Sequence, residues 1–183
     1  MKCKKVLAML LLTLIVLWGV NPVISAQAQA NDESIEIELN NMDLSQPYSE
    51  SNTYIDENGN EYTTTLSFIP SKTRSSNPAS VGTWTSKYDG FGMNMSYKFD
   101  VSKSGTQWKI SNARSHTYSG IFLKFTSPKL YISRAVSTNS FPAEVNAEVT
   151  VDYLDNQWVH LYTNTWIMYT TIDSGGTMTV YNN

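Results

Sequence analysis

The sequence predicts an all-β protein whose folded body is an antiparallel β-sandwich, immunoglobulin-like or jelly-roll-like. Apolar and polar residues alternate along several short segments, and clusters of Gly, Pro, Asn and Asp separate these segments. Beyond the first thirty residues, no window of helical length keeps apolar residues at the spacing of an amphipathic helix. Strands with one apolar face and one polar face indicate sheets that are covered by other residues on one face only. We therefore favour a sandwich over a closed barrel.

Two segments show the alternation most clearly. In MNMSYKFDV (93–101) the apolar side chains occupy every second position, and AEVNAEVTVDY (143–153) repeats the pattern. Because successive side chains in a strand point to opposite faces, each segment has one apolar face and one polar face. GIFLKF (120–125) is a third such segment. About eight strands of this kind in one body are typical of a sandwich.

The first thirty residues predict export. A basic start, MKCKK, precedes the apolar run VLAMLLLTLIVLWGV and the small-residue stretch NPVISAQAQA. This is the pattern of a signal peptide, here residues 1–30, cleaved after Ala30; cuts after Ala26 or Ala28 fit almost as well. The apolar run is shorter than the ~20 residues that span a bilayer, which makes an uncleaved anchor the weaker alternative. We therefore expect a secreted, extracellular protein that is not held in a membrane after cleavage.

Cysteine usage excludes several chemistries. Cys3 is the only cysteine, and it precedes the apolar run. The processed chain then has no thiol, so disulfides, cysteine nucleophiles and cysteine-ligated zinc are excluded.

Charge separates an acidic N-terminal segment, residues 31–80, from the rest. Residues 31–61 contain no Lys or Arg, whereas residues 62–183 contain more bases than acids. Such an asymmetry predicts an acidic arm, which either stays solvated or folds back on the basic body. The processed chain is acidic overall, so nucleic acid is not expected as a partner. The acids of the arm are Asp32, Glu33, Glu36, Glu38, Asp43, Glu50, Asp56, Glu57 and Glu61.

The acidic segment also predicts a hairpin and a linker. Asn58-Gly59 lies between two β-prone runs, which predicts a hairpin over 53–68. The spacing of Asp56, Asn58 and Asn60 weakly resembles a calcium loop, but the glycine is misplaced and the twelfth position is Ser67. PSKTRSSNPAS (70–80) has the composition of a linker, so the sandwich domain is predicted to be 81–183.

The stretch NQWVHLYTNTWIMYTT (156–171) provides the candidate ligand-binding residues Trp158, Tyr162 and Trp166. In one straight strand these rings share a face with His160, Asn164 and Met168, while the β-branched and aliphatic residues of the other face resemble core. A bend or bulge near Asn164 is expected, because the run exceeds the usual strand length, and a bulge there would swap the two faces beyond it. The rings either form an exposed platform for a planar apolar surface such as a sugar ring, or simply pack within the fold.

No catalytic residue, metal site or cofactor is predicted. The two histidines, His116 and His160, have no partner at a metal-binding spacing, and Gly-x-Ser-x-Gly is absent. Glu148 and Asp152 lie on the polar face of a strand, where solvated carboxylates are expected anyway. A Ser-His-Asp triad is recognised by geometry, so the sequence leaves it open.

In the segments MNMSYKFDVS, WKISNAR and GIFLKFTSPKLYISR the chain resembles a family of small secreted β-domains of Gram-positive bacteria without an assigned function. The resemblance covers roughly residues 81–183 and rests on the residue pattern of the predicted strands. It implies a secreted sandwich-like domain and does not imply any site residue.

The sequence as a whole favours a secreted, non-enzymatic β-domain that binds a glycan or a cell-surface protein, at the bacterial surface or in the medium. One alternative is a carbohydrate- or cell-wall-binding module that uses exposed aromatic rings, with Trp84 as a further candidate. A small secreted hydrolase is the other.

Overall fold

The computed structural model describes residues 34–71, 82–90, 92–155 and 159–182. The predicted signal peptide and almost all of the predicted linker lie outside these residues. Ten β-strands and one short 3-10 helix (Leu39–Asn41) make up the described chain. The strands are β1 (Ile35–Glu38), β2 (Tyr48–Ile55), β3 (Glu61–Pro70), β4 (Gly82–Gly90), β5 (Met93–Ser104), β6 (Gln107–Gly120), β7 (Leu123–Arg134), β8 (Ala143–Asp155), β9 (Val159–Ile172) and β10 (Thr177–Asn182).

The strands form two antiparallel five-stranded sheets, which confirms the predicted sandwich. Sheet A has the order β1-β10-β9-β8-β7, and sheet B has the order β2-β3-β4-β5-β6. Within each sheet, strands that follow one another in the chain are neighbours, with β1 added beside β10. These meanders differ from the Greek-key connections of immunoglobulin-like and jelly-roll sandwiches. Within the described ranges, no helix is long and apolar enough to span a lipid bilayer.

The acidic segment is part of the sandwich. β1 pairs with β10 through Ile35↔Val180 and Ile37↔Met178, and β2 and β3 are the first two strands of sheet B. The predicted domain start at residue 81 is therefore corrected to the beginning of β1. The reason is the apolar alternation in IEIE: Ile35 and Ile37 are buried, while the two glutamates are exposed. The predicted hairpin is confirmed, since β2 and β3 pair on either side of Asp56–Asn60.

The core lies between the two sheets, where the alternating segments meet. The odd-numbered side chains of Met93–Val101 are buried, as are Val145, Ala147, Val149 and Val151 from β8. Both sets confirm the predicted apolar faces. Trp84 is fully buried among them and packs against Phe68 with ring centroids 4.8 Å apart. The cost of exposing this apolar surface is what holds the sheets together.

Three buried hydroxyl groups join the sheets through the core. The hydroxyl oxygen of Thr170, in sheet A, lies 2.6 Å from that of Tyr97 and 2.9 Å from that of Ser86, both in sheet B. Burial raises the pKa of Tyr97, so its hydroxyl stays protonated. Because buried polar groups are costly unless paired, this contact fixes how the two sheets face each other.

β2, β4, β6 and β8 all run towards the same end of the sandwich, where the crossing from β6 to β7 also lies. The crossing is joined to sheet A by a hydrogen bond from the Leu154 amide to the Phe122 carbonyl, 3.0 Å long. The last inward-facing side chains of these strands therefore lie at this end of the sandwich.

Candidate functional site

Six aromatic side chains lie close together at this end of the sandwich. We call the surface that they form the aromatic end. Sheet B contributes three tyrosines and sheet A contributes two tyrosines and a tryptophan. Cross-strand register places Tyr54 opposite Tyr62 and Tyr153 opposite Tyr162. The six residues are Tyr54, Tyr62, Tyr88, Tyr153, Tyr162 and Trp166.

Ring contacts cross the space between the two sheets. In sheet B the ring centroids of Tyr54 and Tyr62 are 6.0 Å apart, and those of Tyr62 and Tyr88 are 6.3 Å apart. Tyr88 then reaches Trp166 of sheet A at 5.7 Å. Aromatic pairs at such distances stabilise one another, so the rings form a connected cluster rather than isolated side chains.

On sheet A the cluster ends in an exposed ring. The indole N–H of Trp166 donates to the Tyr153 hydroxyl at 2.8 Å, and burial raises the pKa of Tyr153 so that the hydroxyl keeps its own proton. The Tyr153 ring stacks on Tyr162 with centroids 4.2 Å apart and planes inclined by 13°. Tyr162 is 54% exposed. The Tyr162 ring is therefore supported by Tyr153, while about half of the side chain is exposed.

Two apolar side chains extend the surface at the same end. Ile121 is 72% exposed and Phe122 is 56% exposed, and both lie in the crossing from β6 to β7. Phe122 has φ of 60°, a conformation that residues other than glycine rarely adopt. The hydrogen bond from Leu154 holds this crossing next to Tyr153.

Asp56 places a fixed negative charge beside the aromatic end. Its carboxylate accepts hydrogen bonds from the side chain and backbone N–H of Asn60, from the backbone N–H of Asn58 and from the Tyr62 hydroxyl. Chiefly through the Asn60 side chain, these donors lower the pKa of Asp56 to about 2. Both carboxylate oxygens of Asp56 thus accept hydrogen bonds from residues of the hairpin. This agrees with the interpretation of the segment as a hairpin rather than as a calcium loop.

Replacing Asp56 with Asn is expected to destabilise the hairpin, because an amide group would face donors with its own N–H groups. The folded pKa lies below the ordinary value of 3.8, so the carboxylate stabilises the fold above that pH and loses this effect as the pH falls towards about 2. Urea unfolding across this range should show a deficit of the variant at neutral pH that disappears in acid. The neighbouring exposed Glu57→Gln serves as control and should match the wild type throughout.

The structure brings two of the three predicted site residues together. Tyr162 and Trp166 both contact Tyr153, whereas Trp158 lies outside the described residues. Trp84, the further candidate, is fully buried, so the idea that it contacts a ligand is wrong. A ligand role for Tyr162 and Trp166 remains a prediction.

The faces of β9 differ from those of one straight strand, as a bulge requires. Trp166 and Met168 point into the sandwich, and Ile167 and Tyr169, from the face that resembled core, point outwards. The reason is register: β9 pairs with β8 so that Trp166 lies opposite the buried Val149. The irregularity expected near Asn164 occurs instead where Tyr153 pairs with Tyr162 and Leu154 pairs with His160.

The sequence missed four of the six rings of the aromatic end. Tyr54, Tyr62 and Tyr88 belong to sheet B, and Tyr153 was assigned only to the apolar face of its strand. The available signal was the hairpin, whose register already sets Tyr54 opposite Tyr62. Nothing local indicates that these rings meet Trp166.

Two side chains that were considered for catalysis or metal binding, Glu148 and His116, contact neighbouring residues of the fold. Glu148 accepts a hydrogen bond from the Tyr131 hydroxyl, which lowers its pKa, and a further one from Lys129 at 3.1 Å. A carboxyl group with a lowered pKa stays ionised and is poorly suited to act as a general acid. The ring of His116 packs edge-on against Tyr118, and burial lowers its pKa. Within the described ranges, no three potential metal ligands of the His, Asp and Glu types cluster together.

Comparison with known proteins finds similarity to solved structures only at a distance. No protein-family model and no curated protein matches the chain. A crystal structure of a hypothetical protein from Listeria monocytogenes EGD-e is similar over 74% of this chain and 95% of that one, with 19% identity and a TM-score of 0.41. The likeness is distant, and the site is interpreted from its own geometry.

Proposed function

We propose that the protein is an exported, non-enzymatic binding domain that receives its ligand at the aromatic end. The observation that carries this proposal is the exposed ring of Tyr162, supported by Tyr153, which is in turn hydrogen-bonded by Trp166. Rings that are already fixed lose little conformational entropy on binding, which favours affinity. Aromatic residues at a partly open site commonly anchor ligands.

A glycan is the ligand that best fits this surface. The C–H face of a sugar ring can pack on the exposed part of the Tyr162 ring, while hydroxyl and amide groups nearby can orient the sugar. The exposed Asn164 lies on the same strand face as Tyr162, and the Tyr62 hydroxyl adds a polar group on the sheet B side. The pattern of an apolar surface with a few fixed polar groups is typical of specific small-ligand sites.

Export rests on the first thirty residues, which have the three parts of a signal peptide. A domain delivered outside the cell meets cell-wall and environmental glycans there. The proposed ligand and the proposed location therefore agree.

A cell-surface protein is a second candidate ligand, favoured by the exposed Ile121 and Phe122. Exposed apolar residues grouped at one end of a domain are typical of contacts between proteins.

Replacing Tyr162 with Ala is expected to weaken glycan binding by roughly tenfold or more, as for a central aromatic anchor. The test titrates the processed chain (residues 31–183) with peptidoglycan fragments and common oligosaccharides, and follows tryptophan fluorescence, because Trp166 lies within the cluster. Phe141→Ala is the matched control. Phe141 is equally exposed but lies in the β7–β8 connection at the opposite end.

Unchanged affinity of Tyr162→Ala would contradict the assignment of the aromatic end. A wild-type chain that binds none of these glycans would exclude a glycan ligand there. Loss of binding in the Phe141 variant alone would move the site to the other end.

A further inference from the structure

The outer face of sheet A carries a second group of aromatic side chains, away from the core. Tyr131 of β7 lies opposite Asn146 of β8, Asn146 lies opposite Tyr169 of β9, and Tyr169 lies opposite Tyr181 of β10. The four residues form one line across four strands, and we call this line the tyrosine face. They point outwards because the neighbours of Asn146 on β8, Val145 and Ala147, are buried in the core.

The rings of the tyrosine face are ordered and partly exposed. Tyr169 and Tyr181 stack with centroids 4.8 Å apart and planes inclined by 11°. Tyr131 is 39% exposed. It lies on β7, two strands away from Tyr169 on β9, and this separation corresponds to roughly 10 Å in a sheet. This separation is comparable to the repeat of two sugar units in an extended β-linked chain.

Asn146 occupies the position between Tyr131 and Tyr169. Its side chain points to the outer face, yet it is only 3% exposed, because the larger residues on both sides cover it. Its amide N–H donates to Glu144 at 2.8 Å, while its carbonyl oxygen has no hydrogen-bond partner. A buried acceptor without a partner is costly, and a ligand hydroxyl that reaches it would remove that cost.

Charged and polar side chains hold this surface in place. The Tyr131 hydroxyl donates to Glu148, which also binds Lys129. The hydroxyl of Ser133 donates to Glu144 at 2.7 Å. These contacts fix the Tyr131 ring and the Asn146 amide before any ligand arrives, so only the side chains that cover Asn146 would have to shift for a ligand hydroxyl to reach its carbonyl oxygen.

We propose that the tyrosine face is a second binding site, which takes an extended, uncharged polysaccharide chain. Rings at the spacing of alternate sugar units would pack on the sugars, and the polar groups between the rings would bind their hydroxyls. Glu144, Glu148 and Asp152 lie along this face of β8. Their negative charge disfavours polyanions such as nucleic acids, and a flat sheet suits a chain better than a single sugar.

The two sites are independent. Tyr153 of the aromatic end and Asn146 of the tyrosine face are on the same strand, seven positions apart (153 − 146), which is roughly 23 Å along a strand. They also point to opposite faces of sheet A. Failure of one proposal therefore leaves the other standing.

The test measures binding of the processed chain to insoluble cellulose and chitin, with heparin as a polyanion. We expect wild-type protein to bind at least one neutral polymer and not heparin. Tyr131→Ala and Tyr169→Ala should each weaken that binding by roughly tenfold. Tyr131→Phe, which keeps the ring, should retain most of the affinity, and Phe141→Ala, at an exposed residue outside both sites, should bind like the wild type.

Three results would overturn the proposal: no binding to any neutral polymer, unchanged binding of both alanine variants, or binding to heparin alone. Circular dichroism and urea unfolding must show that both alanine variants are folded. If one is not, Tyr181→Ala replaces it, since Tyr181 lies on the last strand beside Tyr169. Loss of binding in Tyr162→Ala with no loss in the tyrosine-face variants would assign the polysaccharide to the aromatic end.

Discussion

Replacing Trp84 with Ala is expected to lower the free energy of unfolding by about 3–5 kcal/mol. Trp84 is among the largest fully buried side chains, and it packs against Phe68 at the centre of the core. Its removal leaves a cavity that close-packed neighbours can fill only in part. Since the whole stability of a domain is of the order of 5–15 kcal/mol, the variant should be marginally folded. Urea unfolding of the processed chain measures the change.

Tyr162→Ala is the control for this prediction, because it also removes a large ring but from an exposed position. We expect it to cost about 1 kcal/mol, mainly through the lost stack on Tyr153. Equal losses in the two variants would mean that Trp84 is not in the core. The pair also separates folding from binding, since only Tyr162→Ala should change ligand affinity.

Replacing Thr170 with Val is expected to destabilise the sandwich by about 1–3 kcal/mol for each hydroxyl that it leaves without a partner. Tyr97 and Ser86 both contact the Thr170 hydroxyl in the buried centre of the fold. Valine has nearly the same shape as threonine, so the loss reports the missing hydrogen bonds rather than a cavity. Chemical unfolding gives the free energy.

The matched comparison removes all three hydroxyls together, with Ser86→Ala, Tyr97→Phe and Thr170→Val in one chain. This variant leaves no member of the trio unpaired, so it should be more stable than Thr170→Val alone. A triple variant that loses as much as the sum of the single changes would show that the three groups do not act as one network.

The alternating patterns predicted the strands and their buried faces well where both are decided locally. In Met93–Val101 the period of two determines the buried side, because only one set of side chains is apolar. The hairpin at Asn58-Gly59 was predictable for a similar reason: the turn residues and the flanking strands are all within one short segment.

Long-range pairing accounts for what the sequence did not predict. β1 is only four residues long, sits among acids, and pairs with the last strand of the chain. In β9 both faces contain apolar residues, so only the register with β8 decides that Trp166 points inwards and Tyr169 outwards. The composition of residues 31–80 therefore suggested an arm where the fold has three strands.

The candidate sites were partly predictable for the same physical reason. Tyr162 and Trp166 stood out because they are close together in the sequence. Their partner Tyr153 and the rings of sheet B come from other strands, and the tyrosine face draws one residue from each of four strands. Such groupings exist only once the strands are in register, and no local pattern encodes them.

The most direct test of binding at the aromatic end is an NMR titration of the labelled, processed chain with peptidoglycan fragments and oligosaccharides. We predict that a binding glycan shifts the aromatic and amide signals of Tyr62, Tyr153, Tyr162 and Trp166, with saturation and with little change around Phe141. Saturable shifts confined to residues outside the aromatic end, or no shift at millimolar glycan, would contradict glycan binding at this end of the sandwich.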